Sequence, residues 1–302
     1  MDGMNMSIVD IKDPVEQFVA FIEERENIRV RRSKSYPWPW THESILQQYR
    51  FTNIHREDDA TSKHYQKSVR ERYGEDEQVF PGTLLYRWFN RISTCDSFFN
   101  EPNFTNKSIF ELYIQSGDND ILLNRLNQIP TPHVTGAYLI PSPPGYTKGE
   151  GVLLNFHNWC HRYWRDIWKE WTLNPPTLQE MYNSIIGHGL GTFMTAQIVA
   201  DLKYLPTFRK ASDWWTFAAP GPGSKKGLNF VIGADMDSHW TLNAWRETLN
   251  ELNERVTPML EDAGIDKLHN QDLQNCLCEF SKFTKVARGL GRPRQTFKHG
   301  VV

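Results

Sequence analysis

Three glycines alternate with other residues in Gly187-His188-Gly189-Leu190-Gly191, and Thr192-Phe193-Met194-Thr195-Ala196 then opens an apolar helical pattern. A helix or strand loses stability at every glycine, so this run is expected to be a tight turn joining two helices, Thr177 to Ile186 and Thr192 to Tyr204. A turn of this kind leaves the first backbone N–H groups of the second helix without partners. Gly189, Gly191 and Thr192 can therefore present them to a phosphate. Asp213 follows 22 positions beyond Gly191. The plain alternative is a Gly-rich connection with a solvated Asp.

With 302 residues the chain is long enough for a large core or for two lobes sharing one cleft, and one domain of two lobes is expected. Apolar content of 39% and charged content of 23% fit a folded protein and exclude disorder. Eleven Trp residues fill a core first, although the same surplus would suit a protein that stacks unpaired bases. No apolar run approaches membrane-spanning length, and Asp2, Asp10 and Asp13 do not match a secretion signal, so no membrane partner and a cytoplasmic location are expected.

Cys95, Cys160, Cys276 and Cys278 form no CxxC pair and are read as free thiols. His157, Cys160 and His161 could join Cys276 and Cys278 at zinc, but the spacing fits no common ligand pattern, and no metal site is assigned.

Helical spacing dominates the chain. Val15, Phe18, Val19 and Ile22 share one face of a first helix, and Thr41-His42-Glu43 resembles the start of a second. Further helices are expected from Glu57 to Tyr73, after Pro81 with Leu84, Leu85, Trp88 and Phe89, over Lys107 to Gln115, and over Asp118 to Asn127. The 131–150 segment, with Pro132, Pro141, Pro143 and Pro144, cannot be one helix and is read as a connection. It separates an N-terminal helical lobe, 1–130, from a lobe 151–302 that holds the glycine hairpin, a helix from Ser238 to Leu260 and one from Gln271 to Phe283. Strand signals are scarce, so the fold class is mainly α.

Net charge is −2, yet basic residues gather in Arg29, Arg31, Arg32 and Lys34, in Lys225 and Lys226, and in Lys282, Lys285, Arg288, Arg292, Arg294 and Lys298. Gly289, Gly291 and Pro293 suggest that the last group is an extended arm able to track a phosphate backbone. A solvated charged terminus is the plain alternative.

Five segments in one order now carry a resemblance. They are Tyr49-Arg50-Phe51-Thr52-Asn53-Ile54-His55-Arg56-Glu57-Asp58-Asp59, Thr135-Gly136-Ala137-Tyr138, the hairpin helix through Asp201-Leu202, Pro220-Gly221-Pro222-Gly223-Ser224-Lys225-Lys226-Gly227-Leu228, and Asp272 through Lys282. Together they resemble the phage thymine-hypermodification proteins known as α-glutamyl/putrescinyl-thymine pyrophosphorylases, understood as amino acid:DNA transferases. These are similar to the helical domain of 5-hydroxymethyluracil DNA kinases. The likeness runs from about Trp40 to Arg294, and the hairpin with Asp213 also resembles the helix-hairpin-helix of base-flipping DNA glycosylases.

The resemblance implies a helix-hairpin-helix, glycosylase-like helical fold with a cleft between its lobes. It also implies a reaction in the cytoplasm of a phage-infected bacterium, on double-stranded DNA carrying modified uracil. An amino-acid amine, glycine favoured, would displace pyrophosphate from 5-pyrophosphomethyl-deoxyuridine. The leaving group is a polyanion and the incoming ammonium must lose a proton. The loop at Gly223, Ser224, Lys225 and Lys226 offers N–H groups, a hydroxyl and two ammonium groups for pyrophosphate.

Asp213 is the leading base and Glu279 the reserve, although an ion pair between Glu279 and Lys282 is the plain reading of the latter. Arg56 suits an amino-acid carboxylate and Asn53 a uracil edge, while Gly189, Gly191, Thr192, Lys285, Arg288, Arg292 and Arg294 suit DNA phosphates. No cofactor is required, and Mg2+ would be accepted as a bridge on pyrophosphate. GxxxxGK[ST] is missing from the sequence, which argues against a complete ATP-dependent kinase. Phe193 stands where several bifunctional glycosylases place a Schiff-base lysine, which argues against lyase chemistry. The rival readings are a monofunctional glycosylase on a modified pyrimidine and a non-catalytic DNA-binding helical module of a kinase system.

Overall fold

A computed structural model describes residues 7–101, 106–136, 142–291, 293 and 296–297. The described residues contain fifteen α-helices. The first eight are α1 (Pro14–Ser33), α2 (Ser44–Gln48), α3 (Ala60–Tyr65), α4 (Glu71–Tyr73), α5 (Val79–Phe89), α6 (Ile92–Phe99), α7 (Ile109–Ser116) and α8 (Asn119–Asn127). The remainder are α9 (Lys148–Arg162), α10 (Trp164–Leu173), α11 (Leu178–Ile185), α12 (Thr192–Leu202), α13 (Pro222–Val231), α14 (Leu242–Asp262) and α15 (Asn270–Ala287). The mainly helical expectation holds: among the described residues there is no strand, only an isolated antiparallel bridge between Tyr49 and Thr296. No helix among them is long and apolar enough to cross a membrane.

The chain divides into two compact units, residues 1–59 with 215–302, and residues 60–214. This differs from the expected division at 131–150, because the apolar face of α1 finds its partners in the C-terminal helices rather than in the helices that follow it. Phe18 and Phe21 meet Phe280 at ring-centroid distances of 5.2 and 5.4 Å, and Phe21 lies 5.0 Å from Phe283. Trp245, Leu249 and Val256 of α14 complete the same buried cluster.

Within this first unit α13 lies tightly against α15. A Cβ on Gly227 would stand 2.0 Å from the Leu277 carbonyl oxygen, and one on Gly223 would stand 2.5 Å from Cys278 Sγ. Two glycines four apart therefore let the helix backbones approach, as small residues at a crossing do. The segment Gly223 to Lys226, expected as a loop, is instead the start of a helix. Pro222 occupies its first position, and the buried Ser224 hydroxyl accepts from Gly221 N–H and donates to Gly221 carbonyl, both at 3.0 Å.

The basic arm is corrected in the same way. Lys282 and Lys285 belong to α15, held helical by buried Phe280, Phe283 and Thr284. Arg288 is the C-terminal cap and Gly289, at φ +69°, ends the helix with Leu290 N–H donating to Lys285 carbonyl at 2.8 Å.

The second unit is organised around α5, every residue of which is buried. Phe80 packs its ring against Trp159 and Trp171, and Trp88 against Phe156, so much of the tryptophan surplus fills this core. Arg87 of α5 and Asp201 of α12 form a buried ion pair, with Arg87 Nη2 donating to Asp201 Oδ1 at 2.8 Å. The expected hairpin is present. α11 and α12 are joined through Gly187 and Gly189, at φ +87° and +79°, and Gly187 N–H donates to Leu190 carbonyl at 3.2 Å. Glycine is the residue that adopts this left-handed backbone without a Cβ clash.

Candidate functional site

One cluster of titratable groups lies in the first unit, where residues 52–59 are clamped between α1 and α15. From α1, the guanidinium of Arg25, only 4% exposed, donates through Nε to Thr52 carbonyl at 3.1 Å and through Nη2 to Asn53 carbonyl at 3.1 Å. From α15, Asp272 accepts the backbone N–H of Arg56 at 3.1 Å, and Asn275 donates to the Thr52 hydroxyl at 3.0 Å. The clamped segment then turns as a 3-10 helix over Arg56–Asp58. Asn53 caps that turn, its N–H donating to Asp59 Oδ1 at 3.1 Å and its side-chain amide to Asp58 carbonyl at 3.0 Å.

Two carboxylates in this cluster are driven in opposite directions. Burial alone would raise Asp272, but the hydrogen bond to His269, the contact with His55, the charge of His269 and the Arg56 N–H outweigh it and hold the group well below the usual carboxylate range. His269 Nδ1 lies 3.3 Å and His55 Nδ1 3.9 Å from Asp272 Oδ2, and the contact with the Asp272 carboxylate raises His55 above its ordinary value. Asp59 is pushed up, chiefly by burial, against the opposing pull of the Asn53 N–H, Arg56 and Arg25, while the charge of Glu279 adds to the rise. Glu279 is itself buried and forms an ion pair with Lys282 one turn along α15.

Arg25 also lines a groove on the same unit, together with Arg29, Arg32, Arg50, Trp38, Trp40, Tyr49, Phe51, Asn53 and Phe297 among others; no carboxylate contributes to the lining. Arg32 lies over the rings of Trp40 at 5.1 Å and Phe297 at 6.0 Å, and Lys282 lies 5.4 Å over Phe51. The groove thus adjoins the buried carboxylates through Arg25, Phe51 and Asn53.

Asn53, Arg56 and Glu279 are therefore brought into one region. Lys225 and Lys226 stand on α13, where Lys226 Nζ meets Asp237 at 2.9 Å. Arg288 lies over the Phe230 ring at 4.8 Å. Gly189, Gly191, Thr192 and Asp213 belong to the second unit. There the hairpin is exposed, and the Asp213 carboxylate accepts the backbone N–H of Leu178 at 2.8 Å and of Gln179 at 2.9 Å. Both oxygens cap the first turn of α11. Arg292 and Arg294 lie outside the described residues. The cysteines are free, and no cluster of His, Cys, Asp and Glu among the described residues is arranged to hold a metal ion.

Residues 12–290 match the family model described as the 5-hmdU DNA kinase helical domain. The chain belongs to that family. It is 25% identical over 298 residues to a 5-hmdU DNA kinase of Bacillus phage SP10, an alignment covering 89% of this chain and 44% of the phage protein, so the chain spans less than half of that relative's length. No solved structure matches it.

Arg25, His55, His269 and Asp272 were not singled out as site residues in the sequence. His269-x-x-Asp272 has the spacing of one helical turn, which is a readable signal, but the pairing of Asp272 with His55 and Arg56 crosses more than two hundred positions and has no local signature.

Proposed function

We infer that this member of the family acts on thymine-derived bases in DNA as an amino acid:DNA transferase in phage thymidine hypermodification. The amine nitrogen of an amino acid, glycine favoured, forms a bond to the methylene carbon of 5-pyrophosphomethyl-deoxyuridine. The carbon–oxygen bond to pyrophosphate breaks with its electron pair, and the ammonium proton passes to a base on the protein. The observation that carries this reading is the half-buried Asp59 with the buried Glu279 beside the guanidinium of Arg25, in a family described by a 5-hmdU DNA kinase domain.

Glu279 takes the role of proton acceptor, because both oxygens of Asp213 are engaged at the N-terminus of α11. Arg56 suits the carboxylate of the amino acid. Lys225 and Lys226 on the first turns of α13 receive the charge that moves onto the departing pyrophosphate; the Asp237 partner of Lys226 is largely exposed and is readily exchanged for a phosphate oxygen. The glycosylase-like hairpin at Gly189, Gly191 and Thr192, with Lys285 and Arg288, holds DNA phosphates. No cofactor is needed, and Mg2+ would assist by bridging pyrophosphate.

A second reading is favoured by one finding, that the family model describes one domain of a larger kinase: the chain would then be a DNA-binding module without chemistry of its own. Nucleoside mass analysis decides between them. DNA carrying pyrophosphomethyl-uracil is incubated with the protein and a mixture of amino acids, and the expected product is a nucleoside bearing an amino acid. Loss of the base would mean a glycosylase, and unchanged DNA would leave the binding module.

A further inference from the structure

The second unit holds a cavity that the proposed reaction does not use. It lies between the end of α7 and the junction of α9 with α10, and its volume of about 240 Å³ is far above the roughly 10–15 Å³ that one water needs. No carboxylate contributes to its lining. Cys160 and His161, weighed above for zinc, are part of that lining. Cys276 and Cys278 belong to the other unit, and burial pushes the Cys160 thiol up, away from the thiolate that a metal takes.

The polar groups at the cavity are donors. Arg165 is exposed near the start of α10, with its guanidinium 4.4 Å over the Trp164 ring, and it makes no ion pair among the described residues. Burial pushes both the Tyr113 hydroxyl and the Cys160 thiol up, and the charge of Arg165 opposes the rise at each, so this guanidinium acts on the cavity wall. His161 is exposed at the same cavity. The carbonyl oxygen of the Gln115 side chain accepts Lys107 Nζ at 2.9 Å, which leaves its amide N–H groups as donors. A guanidinium fork, an imidazole and an amide around one space, with no acid among them, suit an anion with several acceptor oxygens. A planar carboxylate would be satisfied by Arg165 alone.

We propose that this cavity binds a phosphate group, with two oxygens on the fork of Arg165 and the remainder on His161 and Gln115. Free phosphate or pyrophosphate and a DNA backbone phosphate offer the same chemistry, and the test separates them. The site does not depend on the transferase reading: it belongs to the second unit and shares no residue with the lysines of α13.

Binding is coupled to protons. Around His161 stand His157 of α9, with its ring 4.3 Å away, Arg165 of α10, Tyr113 of α7, and Asp118 at the start of α8, whose charge reaches His157. Burial and then the charge of His161 hold His157 below its ordinary value, against the pull of Asp118. A dianion beside His161 offsets the repulsion between the two imidazoles, so the pair takes up a proton as the anion enters.

The test is calorimetric titration of the full chain with sulfate, a tetrahedral dianion whose charge does not change between about pH 6 and pH 8. Lys225→Ala with Lys226→Ala serves as the background, which removes the other cations assigned to phosphate. In it, Arg165→Ala and His161→Gln are each expected to weaken sulfate binding roughly tenfold, with Arg165→Lys recovering part of the loss. Affinity should fall from about pH 6 to pH 8, and fall less in His161→Gln. Lys210→Ala, exposed in the same unit outside the cavity, should bind as the background does.

Duplex DNA distinguishes the sources. Arg165→Ala lowers the slope of log affinity against log salt by about 0.9 where the ligand is a backbone phosphate, and leaves it unchanged where the cavity takes the free ion. Sulfate affinity and DNA salt slope both at the unsubstituted level in Arg165→Ala and His161→Gln would overturn the proposal. So would acetate displacing sulfate at equal concentration.

Discussion

The Asp272 carboxylate on the first turn of α15 accepts the backbone N–H of Arg56 at 3.1 Å, joining two positions 216 residues apart. This bond, with the two histidines that flank the same carboxylate, fixes the path of the segment that carries Asn53, Arg56 and Asp59. Asp272→Ala would leave the Arg56 N–H and both imidazoles without their acceptor. Unfolding in urea should show a loss of about 1–3 kcal/mol, and Asp272→Asn, which keeps an oxygen acceptor, should lose less. Equal stability of Asp272→Ala and the parent would mean that the clamp does not hold the segment.

His55 predicts a pH dependence. Its contact with the Asp272 carboxylate raises the folded-state value above the ordinary 6.5, so the folded state binds the proton more tightly than the unfolded state. The resulting stabilisation is complete below pH 6.5 and is lost as pH rises through the raised value. Midpoints of urea unfolding measured from pH 5 to 9 should therefore fall across the neutral to alkaline range in the parent. His55→Gln should flatten that fall, and an unchanged slope in the variant would assign the dependence to another group.

For catalysis, Glu279→Gln keeps the size of the side chain and removes its basicity. Turnover in the amino acid transfer assay should fall by roughly two to four orders of magnitude, the contribution of a positioned acid–base group, and alkaline pH should restore part of it by supplying neutral amine. Asp213→Ala has a different signature. It should destabilise the fold by about 0.5–2 kcal/mol through the lost cap on α11 while turnover of the folded protein stays near the parental level. The reverse pattern, a catalytic loss at Asp213 with Glu279→Gln active, would return the role of base to Asp213.

Two glycine substitutions separate close packing from backbone conformation. Gly227→Ala sets a methyl group 2.0 Å from a backbone carbonyl of α15 and should destabilise the protein by about 1–3 kcal/mol or more, because neither helix can yield cheaply. At Gly189 a Cβ meets nothing within 4 Å, so Gly189→Ala should lose only the roughly 1–2 kcal/mol of a left-handed backbone, read by thermal unfolding. A smaller loss at Gly227 than at Gly189 would contradict the packing described for α13 and α15.

Much of the architecture is legible in local sequence, and the exceptions share a cause. The face of α1 carrying Phe18, Val19 and Ile22 follows the helical period, and the hairpin follows from glycines that must turn the chain. α13 is different. Gly223, Ser224, Lys225, Lys226 and Gly227 have the composition of a loop, and they form a helix because α15 accepts their small side chains, a partner that no local window contains.

The site divides along the same line. Asn53 and Glu279 have roles readable from neighbours three to six positions away. By contrast, the capping of α11 by Asp213 and the clamp by Asp272 depend on contacts 35 and 216 positions distant. A pattern search at helical or strand period is blind to such pairings.

Because the first unit is drawn from residues 1–59 and 215–302, its earliest helix is made long before the helices it packs against. At bacterial translation rates of about 5–20 residues per second, α1 waits for roughly ten to fifty seconds with Phe18 and Phe21 uncovered, while residues 60–214 can fold as a continuous stretch in the meantime. The groove arginines and the buried carboxylates come together only when α15 leaves the ribosome. The clamp on residues 52–59 therefore closes only after α15 has been made, and a stop before α15 leaves that segment without Asp272 and Asn275 to hold it.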